Sequence, residues 1–250
     1  MTDLKNKTAI ITGSVRGIGR AIAERYAKLG ANIVLNYSKD QSSAEEATEA
    51  IKRLGGNVIA VQGDVSKIED VNRLFETAIN TFGKVDIVVA NAGVEKVDHP
   101  VLEISEEEFD TFFGINTKGA FFTLQNAAKH VAENGRIILV GSSTSGYPMP
   151  GVGLYGSSKA APRYLVQVLA MEVARKGITV NAIIPTTIQG AGIFTEIAED
   201  DHFKQWVEEF NPMGRMGLPE DVTNVAEFFA GNLSSFVSGQ SLLVSGGGLA

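Results

Sequence analysis

The sequence predicts an α/β fold, a doubly wound and mostly parallel sheet of about seven strands with helices on both faces. Three observations carry this: strand-like and helix-like segments alternate along the chain, the strand-like runs are apolar throughout, and a glycine-rich turn joins the first strand to the first helix. Alternation implies right-handed crossovers, and strands covered on both faces read as unbroken apolar runs. A chain of 250 residues with 44% apolar content can bury one core, so 1–250 is expected to form a single domain.

The strand-like runs are "TAIIT" (8–12), "NIVLNY" (32–37), "NVIAV" (57–61), "VDIVVA" (85–90), "RIILVG" (136–141), "ITVNAII" (178–184) and "SLLV" (241–244). Segments of helical period lie between them. Ser66 with Glu69 and Ser105 with Glu108 form capping-box patterns, and Pro219 stands where a first helical turn begins. One region breaks the rhythm. From 186 to 218 no strand pattern occurs, while Gly190, Gly192, Phe194, Phe203, Trp206, Phe210, Glu199, Asp200 and Asp201 cluster. Such an insertion is expected to serve as a lid or substrate-binding loop.

Composition narrows the function classes. The 22 basic and 29 acidic residues give a net charge of −7, and the basic ones are scattered, so nucleic acid is not an expected partner. With no cysteine, and with His99, His130 and His202 far apart, neither disulfides nor a metal centre is expected. The N-terminal "MTDLKNKTAIITG" fits neither a signal peptide nor a membrane span, which suggests a soluble, cytoplasmic protein.

After the first strand, "TGSVRGIGRAIA" places Gly13, Gly17 and Gly19 at the opening of an amphipathic helix. Glycines let backbone approach a pyrophosphate, whose charge then meets free N–H groups at the helix N-terminus. The second strand ends in Asn36, Tyr37 and Ser38, where a site for NAD usually carries an acid that holds the ribose 2′-hydroxyl. Without that acid a 2′-phosphate is acceptable, with Arg16 and Ser38 as donors and Lys39 in reserve. Asp64 and Val65 follow the third strand, where the carboxylate could accept from an adenine amino group. "ANAG", with Asn91, Ala92 and Gly93, follows the fourth.

Together with Tyr155 and Lys159 in "YGSSK", these features resemble the short-chain dehydrogenase/reductase family, a Rossmann-type fold. The resemblance runs through "TGSVRGIG", "ANAG", "GINTKGAF", "GSSTSG", "ITVNAIIP" and the glycine-rich tail, and is strongest to NADP(H)-dependent carbonyl reductases. It implies further cofactor contacts from Ser14, Ile18, Pro185 and Ile188. It also implies that Tyr155 exchanges a proton with the carbonyl oxygen, that Lys159 binds the nicotinamide ribose, and that Asn116 holds a water against the lysine. An ammonium one helical turn from Tyr155 is expected to lower the phenol's pKa. For the donor that polarises the carbonyl the choice is Ser143, with Ser142 as the alternative.

Several residues depart from the family pattern. Thr186 replaces a glycine, Gly190 stands where a threonine holds the carboxamide, with Thr187 or Thr195 as substitutes, Ser245 replaces an acid, and Pro162 interrupts the catalytic helix. The expected function is NADP(H)-dependent reduction of a ketone or aldehyde to an alcohol. Two alternatives are an NAD-dependent secondary-alcohol dehydrogenase acting on a diol or sugar, and a non-catalytic NADP(H)-binding regulatory protein. The resemblance also implies a homotetramer built on the helices near 105–133 and 155–175 and on the C-terminal strand.

Overall fold

The computed structural model describes residues 2–198 and 201–248, so Glu199 and Asp200 of the insertion lie outside the described residues. Its strands are β1 (Thr8–Ile11), β2 (Asn32–Tyr37), β3 (Val58–Gln62), β4 (Val85–Ala90), β5 (Val131–Val140), β6 (Thr179–Pro185) and β7 (Ser241–Val244). They form one sheet in the order β3-β2-β1-β4-β5-β6-β7, every pair parallel. This is the Rossmann-type arrangement. Its strand order reverses between β1 and β4, which opens a crevice at their carboxyl ends.

Side chains alternate across the sheet and divide the core in two. On one face Ala9 and Ile11 of β1 pack with Ile22 and Tyr26 of α1 (Gly17–Lys28) and Phe229 of α8 (Pro219–Ala230). On the other, Ile10 packs with Leu74 and Phe75 of α3 (Ile68–Phe82), Leu124 of α5 (Ala120–His130) and Val166 of α6 (Gly153–Val173). The three helices α2 (Gln41–Arg53), α4 (Glu106–Phe112) and α7 (His202–Phe210) complete the set of α-helices among the described residues. None of these helices is long and apolar enough to cross a membrane.

Two start signals hold and one does not. Ser105 and Glu108 exchange the reciprocal bonds of a capping box at α4, and Pro219 is the first residue of α8. Ser66 does not cap α3: its hydroxyl and its N–H both donate to Asp64 Oδ1, and Lys67 precedes the helix. Strand β5 starts earlier than its apolar run because Val131 pairs with Val85 before a shift of register at Val85/Ile87. Among the described residues between β6 and α8, the insertion forms a short 3-10 turn (Gly192–Phe194) and α7, with a bridge from Ile188 to Gly217.

Pro162 sits inside α6 without breaking it. A proline has no N–H for the carbonyl four residues back, which here is Ser158. Thr117 Oγ1 donates to that carbonyl at 2.8 Å. Thr117 lies in a π-helical turn (Phe113–Gly119) between α4 and α5.

Candidate active site

The crevice is a cleft of about 670 Å³ running from the glycine turn to the N-terminal end of α6. Its first wall is the β1–α1 turn. Gly13 has a φ of +60°, and a Cβ there would lie 2.8 Å from Ala92 Cα; a Cβ on Gly19 would lie 2.6 Å from the Gly13 carbonyl oxygen. Only glycine allows so close an approach. Arg16 precedes α1 and gives it no side-chain cap, leaving first-turn N–H groups free for an anion.

The turn is held by side chains that local patterns cannot assign. Thr12 Oγ1 accepts from the N–H groups of both Asn91 and Ala92, while Asn91 Nδ2 donates to the carbonyls of Thr12 and Gly13. Asn36 accepts from the Gly13 N–H through Oδ1 and donates through Nδ2 to Val61 and Gly63. Ser14 is a correction to the expected cofactor contacts. Its buried hydroxyl donates to Ile11 and accepts from the Asn36 N–H, and it does not line the cleft.

Beyond the turn, the cleft is lined by Arg16, Gly17, Ile18, Tyr37, Ser38, Asp64 and Val65 at one end and by Gly93, Tyr155, Lys159, Pro185 and Ile188 at the other. Asp40 also lines it, but its two oxygens accept from Ser43 as the N-cap of α2. Thr186 and Thr195 line the cleft. Thr187 does not, and its hydroxyl is buried without a hydrogen-bond partner.

At the far end the structure places Ser142, not Ser143, in the cleft beside Tyr155, its Oγ 2.9 Å from Thr144 Oγ1. Ser142 has extended backbone (φ −155°, ψ 149°), and successive side chains there alternate in direction. Ser143, first residue of a 3-10 turn, is buried and does not line the cleft, and its carbonyl accepts from the Gly146 and Tyr147 N–H groups. Asn116 also stands outside the cleft wall. Its amide exchanges two 2.9 Å bonds with the Val94 backbone and donates a third to Ser158 Oγ. Asn116 and Lys159 meet over Gly93, where a Cβ would come within 2.8 Å of Lys159 Nζ and 3.0 Å of Asn116 Oδ1.

Burial reverses the expected order of proton affinities. Tyr155 is pushed above the usual phenol range, first by burial and then by the negative charge of Glu95, with the nearby Ser142 hydroxyl opposing both. Lys159 is brought down to about 8, because burial penalises its ammonium more than Glu95 supports it. The i,i+4 spacing suggests an ammonium that acidifies the phenol. The folded site withdraws both groups from water, and that cost is the larger effect.

A glycine cradle that a Cβ would fill, an uncapped helix N-terminus, and Arg16 and Lys159 toward opposite ends of one cleft fit a nicotinamide dinucleotide. The sequence pattern described as enoyl-(acyl carrier protein) reductase matches residues 13–248. A short-chain dehydrogenase/reductase of Pestalotiopsis microspora is 39% identical, covering 98% of this chain and 96% of its own length. A hydroxynaphthalene reductase-like protein of Metarhizium anisopliae is 36% identical over 98% of this chain and 95% of its own. Among solved structures, a dehydrogenase/reductase from Sinorhizobium meliloti superposes with a TM-score of 0.92 at 32% identity, covering 98% and 96% of the two chains. A short-chain dehydrogenase from Burkholderia cenocepacia in complex with NADP gives 0.90 at 30% identity, covering 98% of each.

Fold and site thus define an oxidoreductase of the nicotinamide-dependent kind. The chain belongs to the short-chain dehydrogenase/reductase family.

Proposed function

We propose that this protein reduces a ketone or aldehyde to an alcohol with NADPH, with Tyr155 as the proton donor. The observation that carries the reading is the convergence of Ser142, Tyr155 and Lys159 at one end of the cleft whose other end holds the glycine turn and Arg16. When bound, the cofactor supplies a hydride to the carbonyl carbon. Tyr155 gives its proton to the carbonyl oxygen as negative charge develops there, and a raised phenol pKa keeps that proton in place beforehand. Ser142 donates to the same oxygen. Lys159 orients the nicotinamide ribose, and Asn116 positions rather than reacts: it clamps the Val94 backbone beside α6.

Arg16 and Ser38 would meet a 2′-phosphate at the end of β2, which favours NADP(H) over NAD(H). The insertion would close over substrate through Ile193, Phe194 and Thr195, which line the cleft, backed by rings of Phe194, Phe203, Trp206 and Phe210 spaced 5.3, 6.0 and 5.4 Å apart. Exposed Phe121, Tyr164 and Met171 on α5 and α6 and Leu242 on β7 support a homotetramer of one-domain subunits. Light scattering at micromolar concentration is expected to give four times the 26.6 kDa chain mass. The decisive test of function is loss of NADPH absorbance with a panel of ketones, diketones and sugars. No oxidation of NADPH by any of them would reject the reductase.

A further inference from the structure

Glu95 is an acid at the reacting end of the cleft, and the mechanism leaves it unused. It follows Val94, whose backbone Asn116 clamps, and it lines the cleft with Ser142, Tyr155 and Lys159. Its carboxylate rests on Gly192, where an added Cβ would collide with Oε2, and the Ile193 N–H lies beside it. Gly192 has a φ of +57°, so this approach depends on glycine. Glu95 therefore joins the loop after β4 to the insertion at the place where substrate must lie.

A carboxylate has two oxygens and about four acceptor positions. The neighbouring Ile193 N–H can take one. Apolar Val94, Ile193 and Phe194 line the same wall, and a substrate that expels water from this corner leaves the remaining positions unsatisfied unless it replaces the water's donors. The desolvation already felt by Glu95 appears in its carboxyl, which burial holds above the usual range despite Lys159 nearby.

We propose that Glu95 determines substrate specificity by accepting a hydrogen bond from a hydroxyl that the substrate carries in addition to its reacting carbonyl. The proposal deepens the reductase reading and rests on it. It assigns the site to uncharged hydroxylated ketones and sets it against keto acids, whose carboxylate would share a poorly hydrated corner with a second acid.

The test compares kcat/KM with NADPH for a cyclohexanone, the same ring bearing a hydroxyl, and the same ring bearing a carboxylate. Wild-type protein should favour the hydroxylated ring over the plain one by on the order of tenfold or more, the usual effect of a hydrogen bond to a charged group. Glu95→Leu should bring that ratio close to one. Glu95→Gln, of the same shape and still an acceptor, should keep part of it and admit the carboxylate ring better than wild type. Ratios within one variant cancel any general loss from a loosened loop, and an unchanged KM for NADPH would place the effect on substrate. Turnover of the plain ring with the same ratio in wild type and Glu95→Leu would overturn the role of Glu95 alone. No turnover of any ring or other carbonyl by wild type would remove the reductase reading and this inference with it.

Discussion

Thr117 Oγ1 donates to the Ser158 carbonyl, the group that Pro162 deprives of its helical partner. The residue after Ser158 is Lys159, and the Ser158 hydroxyl in turn donates to the Tyr155 carbonyl and accepts from Asn116. One π-helical turn thus closes the gap left by the proline and ties α6 to the loop beneath the cleft. Extra turns of this type recur at functional sites, where they re-aim side chains such as Asn116.

Thr117→Val should destabilise the fold by about 1 to 3 kcal/mol, the cost of a buried acceptor left unsatisfied. Pro162→Ala returns an N–H to Ser158, so in that background the Thr117→Val cost should shrink. A double-mutant cycle on denaturant midpoints measures the coupling. Equal costs in the two backgrounds would mean that the hydroxyl does not replace the missing helical bond.

Tyr155→Phe should lower the reduction rate by about a hundredfold or more, the usual contribution of a general acid, with NADPH affinity little changed. Phenylalanine keeps the ring packing and removes only the proton and the Ser142 contact. Steady-state kinetics and a cofactor titration separate the two effects. Retention of most of the turnover would place the proton donor elsewhere.

Lys159, depressed to about 8 from 10.5, predicts two pH effects. Its ammonium is present below about 8, so kcat/KM for reduction should fall as pH rises through that value, with Tyr155 still protonated because its own pKa is raised. Lys159→Met should be slow and should lack that limb. For stability, the unfolded chain holds the lysine proton up to 10.5 and the cofactor-free fold releases it near 8. Between those values the unfolded state binds more protons, so this group makes stability rise with pH. Thermal melts of wild type and Lys159→Met across that window should converge as pH increases.

NADPH should be preferred over NADH by roughly tenfold or more, since a charge-assisted contact contributes about 1.5 to 3 kcal/mol. Arg16→Ala should reduce that ratio, and Ser38→Asp should invert much of it by repelling the phosphate and accepting from ribose hydroxyls. The check is kcat/KM for both cofactors in the three proteins. A ratio untouched by Arg16→Ala would remove Arg16 from phosphate recognition.

The strands were legible because burial on both faces of a parallel sheet leaves continuous apolar runs, and β2, β4 and β7 begin and end where those runs do. The glycine turn was legible because left-handed backbone and close approach restrict the residue type at Gly13 and Gly19. Ser66 was misleading because a cap pattern says nothing of a competing carboxylate two residues earlier, and Asp64 takes its hydroxyl. The approach of Glu95 to Gly192 had no local signal, since the two residues lie almost a hundred positions apart.

The sequence by itself determined the alternation of elements, the phosphate cradle and the Tyr155–Lys159 spacing, because each follows from backbone sterics or from periodicity within a few turns. Tertiary structure decided that Ser142 and not Ser143 enters the cleft, that Ser14 faces away from it, that Thr117 serves the carbonyl freed by Pro162, and that Tyr155 holds its proton more tightly while Lys159 holds its own less tightly. Side-chain direction at a strand end, hydrogen-bond partners between separate elements and the loss of water around a charge are properties of the assembled core, and no local run of residues encodes them.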